Sequence, residues 1–261
     1  MVIIKIKKDI LKEELKRIMG KEPIFYLKFS EKEAWVKDVQ NGKLFMNTVQ
    51  YFRDLEEKML ITGQGDKYEL KQKLELKKVR IIDKETDTLV ISIPSSKAIL
   101  EIKDDDSAYL FCMMGITLED LEIIEYDNKS ARFKLPFLED NIEKIKNDFG
   151  ENVIMIGGME FRKTIYKKIN EEKIEAVFGS VTYCEHNTKQ RVDAYNKQLG
   201  ERFLYKDPKL DYQKEERLVV RDRFVKGNYF DVGSIKEFSY ISKIEDFVKY
   251  GFEVRYLLEE I

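Results

Sequence analysis

In the segment Tyr212–Val220 (YQKEERLVV) an amide, two carboxylates and two cations run directly into an apolar strand core. Strand period two puts Gln213, Glu215 and Arg217 on one face and Lys214, Glu216 and Leu218 on the other. Three hydrogen-bonding groups in a row suit the wall of a polar cleft; they equally suit an edge strand whose charges keep it from mispairing in water. A second segment, Gly63-Gln64-Gly65-Asp66-Lys67-Tyr68-Glu69, sets two carboxylates beside an aromatic ring and a cation. Its glycines reach backbone shapes closed to other residues, which serves a surface turn or a lid over a cleft. The spacing is neither GxGxxG nor GKS/T, so the dinucleotide fingerprint and the P-loop are excluded.

A third pattern, Asp87 followed by Glu101-Ile102-Lys103, imitates metal-dependent nucleases, in which two carboxylates hold Mg²⁺ and a lysine orients water. In a chain with 37% charged residues this spacing also arises by chance. His186 is the one histidine, and Cys184 and Cys112 are the two cysteines, without CxxC spacing. A Cys184/His186 dyad has no orienting partner in the sequence, and a Cys-rich zinc site or a disulfide framework is excluded.

Composition bounds the partners. Lys plus Arg is 47 against 49 Asp plus Glu, a net charge of −2 that gives no basic excess for phosphate neutralisation along a nucleic acid. No apolar run approaches the ~20 residues of a membrane span, and residues 1–20 lack the apolar core and cleavage site of a signal peptide. The expectation is a cytoplasmic protein without a membrane partner.

The elements that must position these residues follow from periodicity. Asp9–Met19 repeats apolar residues at helical spacing before Gly20. Ile24–Phe29 is a strand; Ser30 with Glu33 reads as a capping box opening a helix to Asn41-Gly42, and Leu44–Phe52 resumes as a strand. From residue 76 the pattern is β-rich, with hairpin turns at 83–87 and 127–130. Helices are expected over 138–149, 189–199 and 244–250, and strands over 153–156, 161–166, 177–183, 218–220 and 252–257. The predicted organisation is an N-terminal helical extension, 1–22, and a single α+β domain, 23–261, with a mixed, mainly antiparallel sheet and flanking helices.

Taken together, an aromatic strand (Ile24-Phe25-Tyr26-Leu27-Lys28), a second strand (Leu44–Thr48), the Gly65-Asp66-x-x-Glu69 loop, Lys206, and the late Tyr212-Gln213-x-Glu215-x-Arg217 resemble an uncharacterised bacterial and phage family. That layout is in turn similar to the ADP-ribosyltransferase fold. The resemblance implies an antiviral or anti-defence setting, a nucleotide as small-molecule ligand, and NAD as substrate. It places Glu215 and Gln213 as catalytic residues. It gives Tyr26, Lys28, Thr48, Tyr51, Arg53, Asp66, Glu69 and Arg217 to nucleotide binding. The sequence departs from that pattern in having no Arg or His on the first strand and no Ser-Thr-Ser run on the second.

The implied chemistry is coherent. Breaking a nicotinamide–ribose bond builds positive charge on the ribose, which a carboxylate stabilises electrostatically. Glu215 would take that role, Gln213 would position the acceptor, and Lys28 would offset phosphate charge. Two other classes stay open: a non-catalytic nucleotide- or protein-binding module with a protein partner in a defence system, and the Mg²⁺ nuclease.

Overall fold

The computed structural model describes residues 13, 15–17, 20–58, 64–127 and 130–255. Of the N-terminal helix expected over 9–19, residues 13 and 15–17 are helical; the rest, and Gly63, lie outside the described residues. The architecture is mixed α+β with mainly antiparallel sheets. Its centre is a sheet of seven strands, six of which, β1 (Phe25–Ser30), β2 (Tyr109–Ile116), β3 (Asn152–Gly157), β4 (Ala176–Ser180), β5 (Glu215–Val220) and β6 (Ser239–Lys243), run in the order β4-β5-β2-β1-β3-β6, while the two-residue strand Asn47–Thr48 joins at β2. Each neighbouring pair is antiparallel.

All six residues of β5 are buried, as are five of the six in β1, so both faces of the sheet centre are covered. On one face Tyr26, Phe111, Met113, Ile154, Ile156, Leu218 and Val220 pack against helices α1 (Glu33–Gln40) and α4 (Gly158–Glu172) through Val36, Val39, Phe161 and Ile165. The other face has two apolar covers. Near β1 and β3, Phe25, Leu27, Phe29 and Met114 meet Leu138 and Ile145 of α3 (Pro136–Phe149) and Ile244 and Phe247 of α5 (Ile244–Tyr250). Near β2 and β5, Leu110 and Val219 meet Val49 of α2 (Val49–Glu57), Leu70 and Phe203. Between these covers runs a seam, floored by Cys112, Glu215 and Arg217.

The sheet is also interrupted. The registered pairing of β1 with β2 covers Phe25–Leu27 against Ile116–Met114. Farther along the same edge of β2, Asn47 and Thr48 pair with Leu110 and Tyr109 instead. Across the break the Lys28 Nζ donates to the Cys112 carbonyl at 2.8 Å.

Three local expectations are corrected. The strand expected over 44–52 is two short strands, Lys43–Phe45 and Asn47–Thr48, followed by α2; the Thr48 hydroxyl accepts the Tyr51 N–H at 3.2 Å and so caps the helix. The strand expected over 161–166 is the middle of α4, whose Phe161 and Ile165 are buried one turn apart. The Ser30/Glu33 capping box does not form: Lys32 is the N-cap, without a side-chain bond, and Ser30 accepts the Lys32 N–H at 3.3 Å.

The α3 terminus packs directly on the end of β1. Gly150 ends α3 at φ 98°, and a Cβ there would lie 2.3 Å from Glu31 N and 2.4 Å from the Ser30 carbonyl carbon. Gly150→Ala is expected to cost about 2–4 kcal/mol, combining left-handed backbone strain with overpacking against main chain. The readout is the denaturant midpoint, and an unchanged midpoint would contradict this close approach.

Candidate functional site

The strand register of β5 decides which side chains meet. Glu215 pairs with Met114 and Arg217 with Cys112, so both point into the seam. Arg217 donates through Nε to Glu215 Oε1 at 2.7 Å, and through Nη1 and Nη2 to the two oxygens of Glu69 at 2.8 and 3.1 Å. Its Nη1 also donates to the Phe203 carbonyl at 2.8 Å. Lys206 donates to Glu215 Oε2 at 2.7 Å and to Gln213 Oε1 at 2.8 Å, with Glu69 Oε2 at 4.0 Å. The Glu215 N–H donates to the Tyr183 hydroxyl at 2.8 Å. Two cations and two carboxylates thus neutralise one another while Arg217 is 0% and Glu215 5% exposed.

Each charge is held by the others. Burial alone would raise the Glu215 carboxyl, but Arg217 and Lys206 beside it hold it well below the usual carboxylate range. Burial likewise opposes charge on Lys206 and on Arg217, and Glu215 and Glu69 more than offset it, raising both. Cys112 lies under Glu215, and burial followed by that carboxylate pushes its thiol up to about 12. Asp66 behaves oppositely to Glu215: burial and then Glu69 raise its carboxyl, although its Oδ1 accepts the Tyr68 N–H at 2.9 Å.

Two backbone bonds fix the loop that brings in the acids: Asp66 N–H to the Phe52 carbonyl at 3.0 Å, and Glu69 N–H to the Asp66 carbonyl at 2.8 Å. Arg53, buried on α2, donates through Nε to the Glu69 carbonyl at 2.7 Å and pairs with Asp106. Arg53 therefore positions Glu69 from behind.

Beside the cluster the seam opens into a cleft of about 330 Å³, lined by Glu56, Gly65, Lys144, Asp148, Lys209, Leu210 and Tyr212. Tyr212 connects the two. Its hydroxyl donates to Asp148 Oδ2 at 2.8 Å and accepts from Gln213 Nε2 at 3.4 Å, and the Lys144 Nζ lies 3.3 Å from its ring centre.

The structure brings together Gln213, Glu215, Arg217, Asp66 and Glu69, with Arg53 behind them. It does not bring Tyr26, Thr48 or Tyr51 to them; Lys28 starts from the opposite face and reaches the Cys112 carbonyl through the break, near enough for the Glu215 charge to act on it, without bonding a cluster side chain. Leu27 shares Met114, and hence the seam face, with Glu215; Tyr26 and Lys28 alternate to the opposite face. Tyr26 is fully buried there against Phe161, and the Lys28 Nζ lies 5.0 Å from the Phe111 ring. Strand β2 separates β1 from β5. Thr48 is spent as the α2 cap, and Tyr51 is an exposed helical residue.

The other patterns disperse. Asp87 sits in a hairpin turn at φ 54°, and Glu101, at the far end of that hairpin, pairs with Lys71 at 3.7 Å. Among the described residues no three His, Cys, Asp or Glu side chains gather as metal ligands. His186 is buried, and its Nδ1 accepts the Lys73 N–H at 3.2 Å; burial, then Arg191, lowers its pKa to about 4. Sequence reasoning missed Asp148, Lys144 and Tyr183. The first two stand on the polar side of an amphipathic helix, and only the fold turns that side toward Tyr212.

No family model, curated protein or solved structure matches the chain. Among the described residues no helix is long and apolar enough to cross a membrane.

The electrostatics yield two expectations. Arg217→Met leaves Glu69 and Glu215 buried with Lys206 alone and should cost ~3–5 kcal/mol, as breaking a buried pair does. For pH, the Glu215 carboxyl is depressed in the fold, so its stabilisation is fully present above the unfolded value of ~4.3 and is lost as pH falls through the folded one. Asp66 has the opposite sign, because its raised carboxyl destabilises the fold wherever it is ionised. Asp66→Asn, which keeps an oxygen for the Tyr68 N–H, is expected to raise the unfolding midpoint at pH 7. That gain should fade as the pH drops below ~4, where the acid is protonated in both states. Urea titrations across pH check both signs.

Proposed function

We propose that this chain is an ADP-ribosyltransferase-like protein that binds NAD or a related nucleotide in the seam cleft and cleaves its glycosidic bond. The observation that carries this reading is a convergence. The Gly65-Asp66-x-x-Glu69 loop and the Lys206…Gln213-x-Glu215-x-Arg217 segment, distant in sequence, form one buried ionic cluster at the edge of a cleft. Glu215 is a carboxylate kept ionised and fixed by Lys206 and Arg217, which is what stabilising a developing ribose cation requires. Gln213, held by the same lysine, orients the acceptor. Lys144 and Lys209 on the rim offset phosphate charge, and the Tyr212 ring offers a stacking face. The antiviral or anti-defence setting goes with the resemblance in sequence.

A second reading, a non-catalytic nucleotide- or protein-binding module, is favoured by one fact: both Glu215 oxygens already carry partners. In that case the cluster shapes the cleft and performs no chemistry.

Labelled NAD separates the two. The wild-type chain is expected to release nicotinamide, and Asp66→Asn and Glu215→Gln to lose on the order of 10²–10³ in turnover. Asp66→Asn is the sharper variant, because its fold is expected to be at least as stable as wild type. Glu216→Gln serves as the control: Glu216 faces the opposite side of the sheet beside Met113 and bonds Ser180. NAD binding without nicotinamide release, unchanged in Asp66→Asn, selects the module; no binding at all overturns both nucleotide readings.

A further inference from the structure

Residues 71–101 form an arm. Lys71–Leu76 pairs antiparallel with Ser96–Glu101, and Val79–Ile82 with Leu89–Ile93. Lys71 opposite Glu101 and Val79 opposite Ile93 keep one register, so the two ribbons are a single long hairpin closed by the Asp83–Asp87 turn. Among the described residues neither ribbon pairs with any other strand. Every residue from Arg80 to Ser92 is exposed, including Ile81, Ile82, Leu89, Val90 and Ile91, the last four at 48%, 57%, 58% and 49%. A lone two-stranded ribbon is marginal in water. The aliphatic edge Leu89–Ile93 is a template for another strand: it carries no charge and no covering helix, Pro94 lies just beyond it, and its one irregularity is a bulge at Val90, between the Ile81–Ile91 and Ile82–Leu89 pairs.

Charge says what that strand is. The turn at the tip carries Asp83, Glu85 and Asp87 against Lys84, whereas the base of the distal ribbon carries Lys77, Lys78 and Lys97 with Glu75. The arm is thus acidic at its tip and basic from Arg80 to its root, and the Leu89–Ile93 edge between them is neutral. Two such arms laid antiparallel are complementary along their whole length. We propose that the arm docks on the arm of a second copy of this chain, Leu89–Ile93 pairing with itself across a two-fold axis near Ile91. Such pairing sets Leu89 against Ile93, opposes no like charges in the neutral stretch, and carries each acidic turn to the basic root of the other arm. A two-fold contact is self-complementary by construction and closes as a dimer rather than growing into a fibre. Five half-exposed aliphatic side chains from each copy put the buried area on the order of 1,000 Å², the lower edge of specific interfaces.

Sedimentation equilibrium of the full chain tests this. The wild type is expected to be a dimer at micromolar concentration. Ile91→Lys places two ammonium groups at the axis and should weaken the dimer about a hundredfold or more, as juxtaposed like charges do. Lys97→Glu should weaken it about tenfold, and adding Glu85→Lys and Asp87→Lys to the same chain should restore it. These positions are solvent-exposed, so an unchanged melting profile separates loss of association from loss of fold. A wild type that stays monomeric, or a dimer indifferent to Ile91→Lys, overturns the proposal.

Discussion

Arg217 is a fixed guanidinium with no exposure to water, and a charge so placed must find its counter-ions within reach. It finds them in Glu69, on a distant loop, and Glu215, on its own strand, and the Phe203 carbonyl accepts a further hydrogen bond. Lys206 adds a second cation and closes the balance. This constraint ties the 64–70 loop, the 203–213 segment and β5 into one unit, beside the apolar contact of Leu70, Phe203 and Val219, and the bidentate bond from Arg217 to Glu69 adds a fixed geometry to that contact. The two apolar covers on that sheet face stand apart because this polar cluster occupies the ground between them. The cleft is the outer end of the same gap, with Asp148 and Lys144 on one bank and Gly65 and Glu56 on the other.

Much of the cluster was legible in sequence, and for a physical reason. Alternation places Glu215 and Arg217 together whatever lies across from them, since period two is a property of the strand alone. It fails for Gln213, which ends a 3-10 turn (Pro208–Gln213) before Lys214 at φ 42° and joins the cluster through Lys206 instead. The loop's spacing alone reads first as a surface turn, since Gly and Asp are ordinary turn residues; the burial of Asp66 and Glu69 against Arg217 is what tertiary structure adds. What alternation cannot supply is which face of one strand shares a side with which face of another. Strand β1 is buried on both faces, so nothing in Ile24–Phe29 marks Tyr26 and Lys28 as belonging to the face away from Glu215. That parity depends on the register through β2, a long-range quantity.

Helix and strand were confused where short apolar runs carry aromatic or β-branched residues. The 161–166 stretch (FRKTIY) reads as a strand by composition, yet its core contacts are one helical turn apart. The 44–52 stretch changes state at Thr48, whose hydroxyl serves as a helix cap; the same hydroxyl would be a ligand group on a strand. Local chemistry there is identical in both readings. Tertiary context chooses: Asn47 and Thr48 fill the edge of β2 that β1 vacates, and the chain must then turn away over the sheet.

Two acids in one seam carry opposite perturbations, and that asymmetry is the strongest chemical statement of the site. Glu215 faces two cations and remains a carboxylate; Asp66 faces Glu69 in a dry environment and holds its proton more tightly than an ordinary Asp. A site that divides its carboxyl groups in this way has one group suited to stabilising positive charge and another suited to exchanging a proton. The ionic network reaches charge balance with Glu69, Glu215, Lys206 and Arg217, so the Asp66 charge adds nothing to it; what Asp66 contributes to the loop is the Oδ1 that accepts the Tyr68 N–H. Asp66 itself is buried; its neighbour Gly65 lines the cleft, so the acid lies one residue behind that wall.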